Sequence, residues 1–168
     1  MTNLIERFVP LCKEADIDLV TSVPDGYLVP FIEQIDQSDI THVRAAREEE
    51  CFGIASGAAM TGKRALIMVQ NAGFLNSIGC FATLCMNYRL PIVILVTHRG
   101  NIFDKNRYDT EKFRYYEAFT QNPHVFSVSW HAHKNDGNII ARAFGRAEAA
   151  KEPTIVNLDF PPTDTVAC

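Results

Sequence analysis

ALIMVQNAGFLNSIGCFATLCMNYRLPIVILVT, residues 65–97, sets the architecture of this chain. It opens and closes in two short runs, ALIMVQ (65–70) and PIVILVT (91–97), that are apolar almost throughout instead of alternating with polar residues. Strands of that kind are buried on both faces, as in a parallel sheet covered by helices. The segment between them, GFLNSIGCFATLCMNYR, has a helical pattern and is long enough to return the chain to the start of a neighbouring parallel strand. The stretch is therefore a βαβ unit, whose crossover is right-handed.

The same alternation extends outward in both directions. Leu4, Ile5, Phe8, Val9, Leu11 and Cys12 recur at helical spacing, and DLVTSV (18–23) then reads as a short buried strand. A PDG turn at Pro24–Gly26 leads into the helix YLVPFIEQID, the strand THVRAA, and a helix that starts with three acids, REEECFGIASGAAMTGK (47–63). Beyond the central unit, HVFSVSW (124–130) and TIVNLDF (154–160) flank the alanine-rich helix NIIARAFGRAEAA. Strands alternating with helices predict a single α/β domain over residues 1–168: a doubly wound, mostly parallel six-stranded sheet with helices on both faces. No internal repeat and no linker interrupts it.

Composition narrows the function classes. With 47% hydrophobic and 21% charged residues the chain is an ordinary globular one. Sixteen basic against twenty acidic residues, a net charge of −4, and no lysine-rich run exclude a dedicated nucleic-acid binder. No apolar stretch reaches the roughly 18 residues of a membrane span, and Glu6 and Glu14 within the first helical pattern exclude a signal peptide. Five cysteines, at 12, 51, 80, 85 and 168, form no C-x-x-C pair, so reduced thiols and a cytoplasmic setting are expected. His131 and His133 could share one face of a strand, but no Cys or acidic companion is obvious in sequence, so a surface pair is expected there and no metal site.

Candidate sites gather at the carboxyl ends of the strands, where open α/β sheets bind ligands. Four polar segments leave those ends: SVPDG, RAAREEE, QNAGFLN and the long HRGNIFDKNRYDT (98–110). They contain neither a G-x-G-x-x-G after the first strand nor a Walker lysine. Ser56 and Ser77 lack the strand–turn–helix setting of a hydrolase nucleophile, which leaves them as helix-packing residues. The helix that opens with Glu48, Glu49 and Glu50 then continues through Gly53, Ala55, Ser56, Gly57, Ala58 and Ala59, a surface something can approach closely.

Taken together, TSVPDGYLVPFIEQI, REEECFGIASGAAMTGKRALIMVQNAGFLNSIG and LPIVILVTHRG resemble the pyrimidine-binding domain of thiamine-diphosphate enzymes. Within that family the likeness is to the short alpha subunits of sulfopyruvate decarboxylases and the matching part of phosphonopyruvate decarboxylases. The resemblance implies that a glutamate nine residues before the glycine ending Gly53-Ile54-Ala55-Ser56-Gly57 meets the cofactor. Counting back gives Glu48, with Glu49 and Glu50 as rivals whose alternative role is helix-start charge. Glu48 would hydrogen-bond N1′ of the aminopyrimidine and favour its imino form. Pro24, Gln70, Asn71, Gly73 and Asn76 would line the pyrimidine pocket, Gly73 permitting close backbone approach. Arg99, with Arg44, would clamp the substrate's anionic group, although an ion pair of Arg99 with Asp104 or Asp109 is an equal alternative. His98 would relay protons or cap its strand.

The implied activity is that of the alpha subunit of a thiamine-diphosphate-dependent 2-oxo acid decarboxylase, turning sulfopyruvate into sulfoacetaldehyde and carbon dioxide. A different thiamine-diphosphate enzyme (a phosphonopyruvate decarboxylase or a carboligase) and a non-catalytic α/β binding module remain as alternatives. The GDG motif that holds Mg2+ and diphosphate in this family is missing, since neither Asp25-Gly26 nor Asp136-Gly137 follows a glycine. A partner beta subunit carrying that motif is therefore expected to hold the metal and the diphosphate, and this chain to be active only with it.

Overall fold

The computed structural model describes residues 2–101, 104, 109–131 and 137–160. The chain runs α1 (Thr2–Glu14), β1 (Leu19–Ser22), α2 (Val29–Asp36), β2 (Thr41–Arg44), α3 (Glu48–Met60), β3 (Ala65–Gln70), α4 (Asn71–Asn76), α5 (Ile78–Cys80), a π-helical turn (Phe81–Met86), β4 (Val93–Thr97), α6 (Thr110–Thr120), β5 (Ser127–His131), α7 (Ile139–Ala150) and β6 (Thr154–Asp159). All strand pairs are parallel, in the order β2-β1-β3-β4-β6-β5.

The unbroken apolar runs are explained by where alternate residues go. In β3, Leu66 and Met68 point into one core with Phe8, Leu11, Phe31, Ile35 and Phe144 of α1, α2 and α7. Ala65, Ile67 and Val69 point into the other, with Phe52, Phe74, Phe81 and Tyr116 of α3, α4, the π-turn and α6. Strand β4 divides in the same way, Val93 and Leu95 against Ile94 and Val96. Side chains alternate across a strand, so a strand buried on both faces needs apolar residues at every position.

Two local features depart from the expected pattern. The crossover after β3 begins at Asn71 with no loop, breaks at Ser77, whose hydroxyl donates to the Gly73 carbonyl at 3.0 Å, and ends in the π-turn. The helix α6, which no sequence pattern announced, follows the irregular segment after β4. His131 ends β5, while His133 lies outside the described residues. Among the described residues no helix is long and apolar enough to cross a membrane.

The chain leaves β1 toward β2 on one side and returns past it to β3 on the other. The connections from β1 and β3 therefore diverge, α2 to one face and α4 to the other. That reversal marks the place beyond the carboxyl ends of β1 and β3 where sheets of this topology form a crevice and hold ligands.

Candidate active site

Glu48 is the first residue of α3 and is half-buried at that rim. A Cβ at Gly73 would stand 2.1 Å from Glu48 Oε1, and the atoms nearest that position all belong to Glu48. The carboxylate thus lies across the first turn of α4, in space that any side chain at position 73 would need. The three acids, equivalent in sequence, are separated by this contact. Glu50 folds back on the helix start, its Oε2 accepting from Ala46 N–H at 2.9 Å and Arg47 N–H at 3.4 Å. Acceptors there satisfy N–H groups that have no partner within the helix. Among the described residues, no hydrogen bond or ion pair engages the Glu48 carboxylate.

The other pocket residues divide into exposed and committed ones. Pro24 is exposed in the loop after β1, Gln70 is half-buried at the end of β3, and Asn76 is exposed at the far end of α4. Asn71 is fully buried, and both ends of its amide are engaged. Its Nδ2–H donates to the Arg99 carbonyl at 2.8 Å, and its Oδ1 accepts from Ala72 N–H at 2.9 Å. Asn71 therefore ties the end of β3 to the segment leaving β4 and does not present a free polar edge.

Arg99, only 9% exposed, follows β4 and is enclosed by carboxylates. Its Nη1–H donates to Asp25 Oδ2 at 2.8 Å, and its Nε–H to Asp104 Oδ2 at 2.7 Å. The guanidinium also lies 4.3 Å from the Tyr27 ring centroid, and Tyr27 in turn stacks on Phe160 at 4.6 Å. Burial by itself pulls the Arg99 pKa down, but the hydrogen bond to Asp104 and the charges of Asp25 and Asp104 carry it above its ordinary value. Of the two roles open to Arg99, the structure displays the ion pair, with Asp104 and Asp25 as partners. Asp25 was visible in sequence only as part of a PDG turn. Its Oδ1 also accepts from Tyr27 N–H at 3.0 Å, so the turn and the ion pair fix each other.

The structure does not bring Arg44 to Arg99. Strand β2 is an edge strand three places from β4, a separation of roughly 14 Å at the usual strand spacing, and Arg44 pairs with Asp36. His98 stacks on Phe113 at 4.4 Å, and its Nδ1 meets Asp159 Oδ1 at 2.8 Å; its Nε2 is buried without a partner among the described residues. A further polar chain links Ser22 Oγ to His42 Nε2 at 2.9 Å and His42 Nδ1 to Asp36 Oδ1 at 2.6 Å. Ser22 is completely buried, so this order of groups braces the sheet edge and exposes no nucleophile. Ser56 and Ser77 are buried packing residues, as expected.

Glu48 suits one half of a thiamine-diphosphate site: an unengaged carboxylate, on a rigid helix start, laid against a glycine at the sheet's carboxyl edge. The metal half is a different matter. Among the described residues no grouping of three or more His, Cys, Asp or Glu side chains could hold a metal ion.

Comparison with known proteins places the chain in a family. Residues 2–121 match the family described as "Thiamine pyrophosphate enzyme, N-terminal TPP binding domain", and the chain belongs to that family. It is similar to the sulfopyruvate decarboxylase subunit alpha of Methanothermobacter thermautotrophicus, 45% identical over 89 residues that cover 52% of this chain and 54% of the relative. The subunit of the same description from Methanococcus maripaludis is 37% identical over 104 residues, 61% of this chain and 62% of the relative. Phosphonopyruvate decarboxylase of Streptomyces viridochromogenes is 29% identical over 91 residues, covering 54% of this chain and 23% of that one. The chain thus spans little more than half the length of the subunit alpha relatives it matches. The crystal structure of benzoylformate decarboxylase from Polynucleobacter necessarius shares the fold, with a TM-score of 0.64 and 19% identity over 98% of this chain and 33% of that one.

Proposed function

We propose that this chain is the pyrimidine-side subunit of a thiamine-diphosphate-dependent decarboxylase that converts sulfopyruvate into sulfoacetaldehyde and carbon dioxide. The observation that carries this is the Glu48 carboxylate, unengaged among the described residues and seated across Gly73 at the crevice. When bound, thiamine diphosphate supplies the electron sink for the loss of carbon dioxide. The chain's residues supply placement and proton control. Glu48 holds a proton at N1′ of the aminopyrimidine, and α3 fixes its direction. Gln70 and Pro24 border the same crevice, Asn71 braces its floor, and Gly73 keeps space for the carboxylate.

Mg2+ and the diphosphate belong to a partner subunit with a GDG-type motif. Three outward-facing glycines support a partner. Gly53, Gly57 and Gly79 are exposed, and a Cβ at any of them would meet nothing within 4 Å. Among the described residues nothing requires glycine at those positions, although glycine costs a helix about 1 kcal/mol relative to alanine. The description of the sulfopyruvate relatives as subunit alpha supports the same arrangement. Sulfonate is favoured over phosphonate as the substrate's distal group because those relatives are 45% and 37% identical, against 29% for the phosphonopyruvate enzyme. The four cysteines among the described residues are free and three of them are buried, which supports a reducing, cytoplasmic setting.

The test is reconstitution with the partner chain, thiamine diphosphate and Mg2+. Decarboxylation of sulfopyruvate is expected only in the mixture. Glu48→Gln should cut it by about 10²-fold or more, with an unchanged circular-dichroism spectrum. Full turnover by Glu48→Gln, or by this chain without a partner, would overturn the proposal.

A further inference from the structure

Arg99 and Gly100 form a cradle of converging donors that is filled by the Asp104 carboxylate. One edge of the guanidinium, Nε and Nη2, faces Asp104 side-on, at 2.7 Å to Oδ2 and 3.4 Å to Oδ1. Gly100 N–H donates to the same Oδ2 at 2.9 Å. Gly100 holds φ +87°, and a Cβ there would strike the Asp109 carbonyl oxygen at 2.2 Å, so the amide's direction depends on glycine. Two donors converging on one oxygen, with a third on the other, is the way a guanidinium and a backbone amide receive a planar or tetrahedral oxyanion.

The rest of the guanidinium is held without help from Asp104. Asp25 takes Nη1, and the Tyr27 ring, itself stacked on Phe160, supports the flat face. Removing the Asp104 carboxylate would therefore leave a preorganised guanidinium balanced in charge by Asp25, with one hydrogen-bonding edge open. Asn71 joins the Arg99 carbonyl to the first turn of α4, the same turn that carries Gly73 and the Glu48 carboxylate. The cradle thus follows β4, and the Glu48 carboxylate, reaching over from the start of α3, lies against the turn that follows the neighbouring strand β3.

We infer that this cradle is the binding site for an anionic end of the substrate, a sulfonate or a carboxylate, and that Asp104 occupies it as an internal stand-in until the substrate exchanges with it. The assignment to substrate rests on the proposed decarboxylase function; the existence of an anion site does not. Exchange replaces one singly charged oxyanion by another, so the charge around Arg99 and Asp25 is unchanged while the displaced carboxylate regains water.

The experiment is an NMR titration of the ¹⁵N-labelled full chain with methanesulfonate and with acetate, against sodium chloride at equal ionic strength, without thiamine diphosphate. The Gly100 N–H and Arg99 Nε–H resonances are expected to shift saturably. The apparent Kd should be at least about tenfold lower in Asp104→Ala than in the natural chain, because one charge-assisted competitor is gone. Adding Arg99→Gln to Asp104→Ala should abolish the effect. Absence of a saturable shift in a folded Asp104→Ala chain, or an unaltered shift without Arg99, overturns the inference. If Asp104→Ala does not fold, Asp104→Asn is titrated in its place under the same criteria. No step uses cofactor or turnover, so failure here leaves the role of Glu48 untouched, and failure of reconstitution leaves the anion site standing.

Discussion

Replacing Gly73 with alanine separates the position of the Glu48 carboxylate from its presence. The new methyl would lie 2.1 Å from Glu48 Oε1, and ordinary contact begins at 3.4 Å, so the carboxylate must move by about 1.3 Å. The atoms in the way, Oε1, Cδ and Cγ, are the far end of a flexible side chain, which can swing aside without moving backbone. Alanine also gains up to about 1 kcal/mol over glycine within a helix. Stability should therefore change by no more than about 1 kcal/mol in either direction, a shift of a few degrees in Tm. Activity should respond quite differently, because a misplacement of about 1 Å costs on the order of 10²-fold in rate. The assay is sulfopyruvate decarboxylation by the reconstituted pair, with melting of each variant measured in parallel. Groups that act as a unit are not additive, so Glu48→Gln combined with Gly73→Ala should be no slower than Glu48→Gln alone. Gly73→Ala with normal turnover and a normal melt would refute the claim that this glycine exists to seat Glu48. Independent, multiplying losses in the double variant would refute it as well.

Two further perturbations probe the periphery of the site. Gly57→Ala should stabilise the isolated chain by about 0.5–1 kcal/mol, because the position is helical and its Cβ would meet open space. The same change should weaken assembly with the partner subunit in sedimentation velocity, and unchanged assembly would remove Gly57 from the interface. At the sheet edge, the hydrogen bond with His42, aided by Arg44, holds Asp36 below its ordinary value of 3.8. A depressed carboxylate pKa contributes stability that is complete above the unfolded value and is lost as pH falls through the folded one. The Tm advantage of the natural chain over Asp36→Asn should therefore be constant near neutrality and shrink below about pH 4; an advantage independent of pH would show that the pair carries no such linkage.

How far the sequence could be read depended on whether a feature is local. Strands β3 and β4 were legible because burial on both faces demands an uninterrupted apolar run, and Ala65–Gln70 emerged with the expected bounds. Helix α6 was not, since TEKFRYYEAFT buries only Tyr116 and so has no wide apolar stripe to betray it. The π-turn was equally hidden, because a change of helical hydrogen bonding leaves little trace in residue type.

The site divides along the same line. By itself the sequence determined the class of sheet, the strand ends that carry polar residues, and Glu48 as a helix-start acid with two rivals. It could not rank the three acids on chemical grounds, because all of them suit the positive end of a helix. Tertiary structure decided that Glu50 serves the helix start and that Glu48 crosses to Gly73, 25 residues further along the chain. It also set Asp25 and Asp104 on Arg99, partners 74 and 5 residues away in sequence, and put Arg44 on the edge strand β2, three places from β4, with Asp36. The physical reason lies in the order of the strands. Local periodicity specifies that a segment is a buried strand, but which strand ends become neighbours depends on how the crossovers pack on the two faces, and only the folded sheet, β2-β1-β3-β4-β6-β5, determines that.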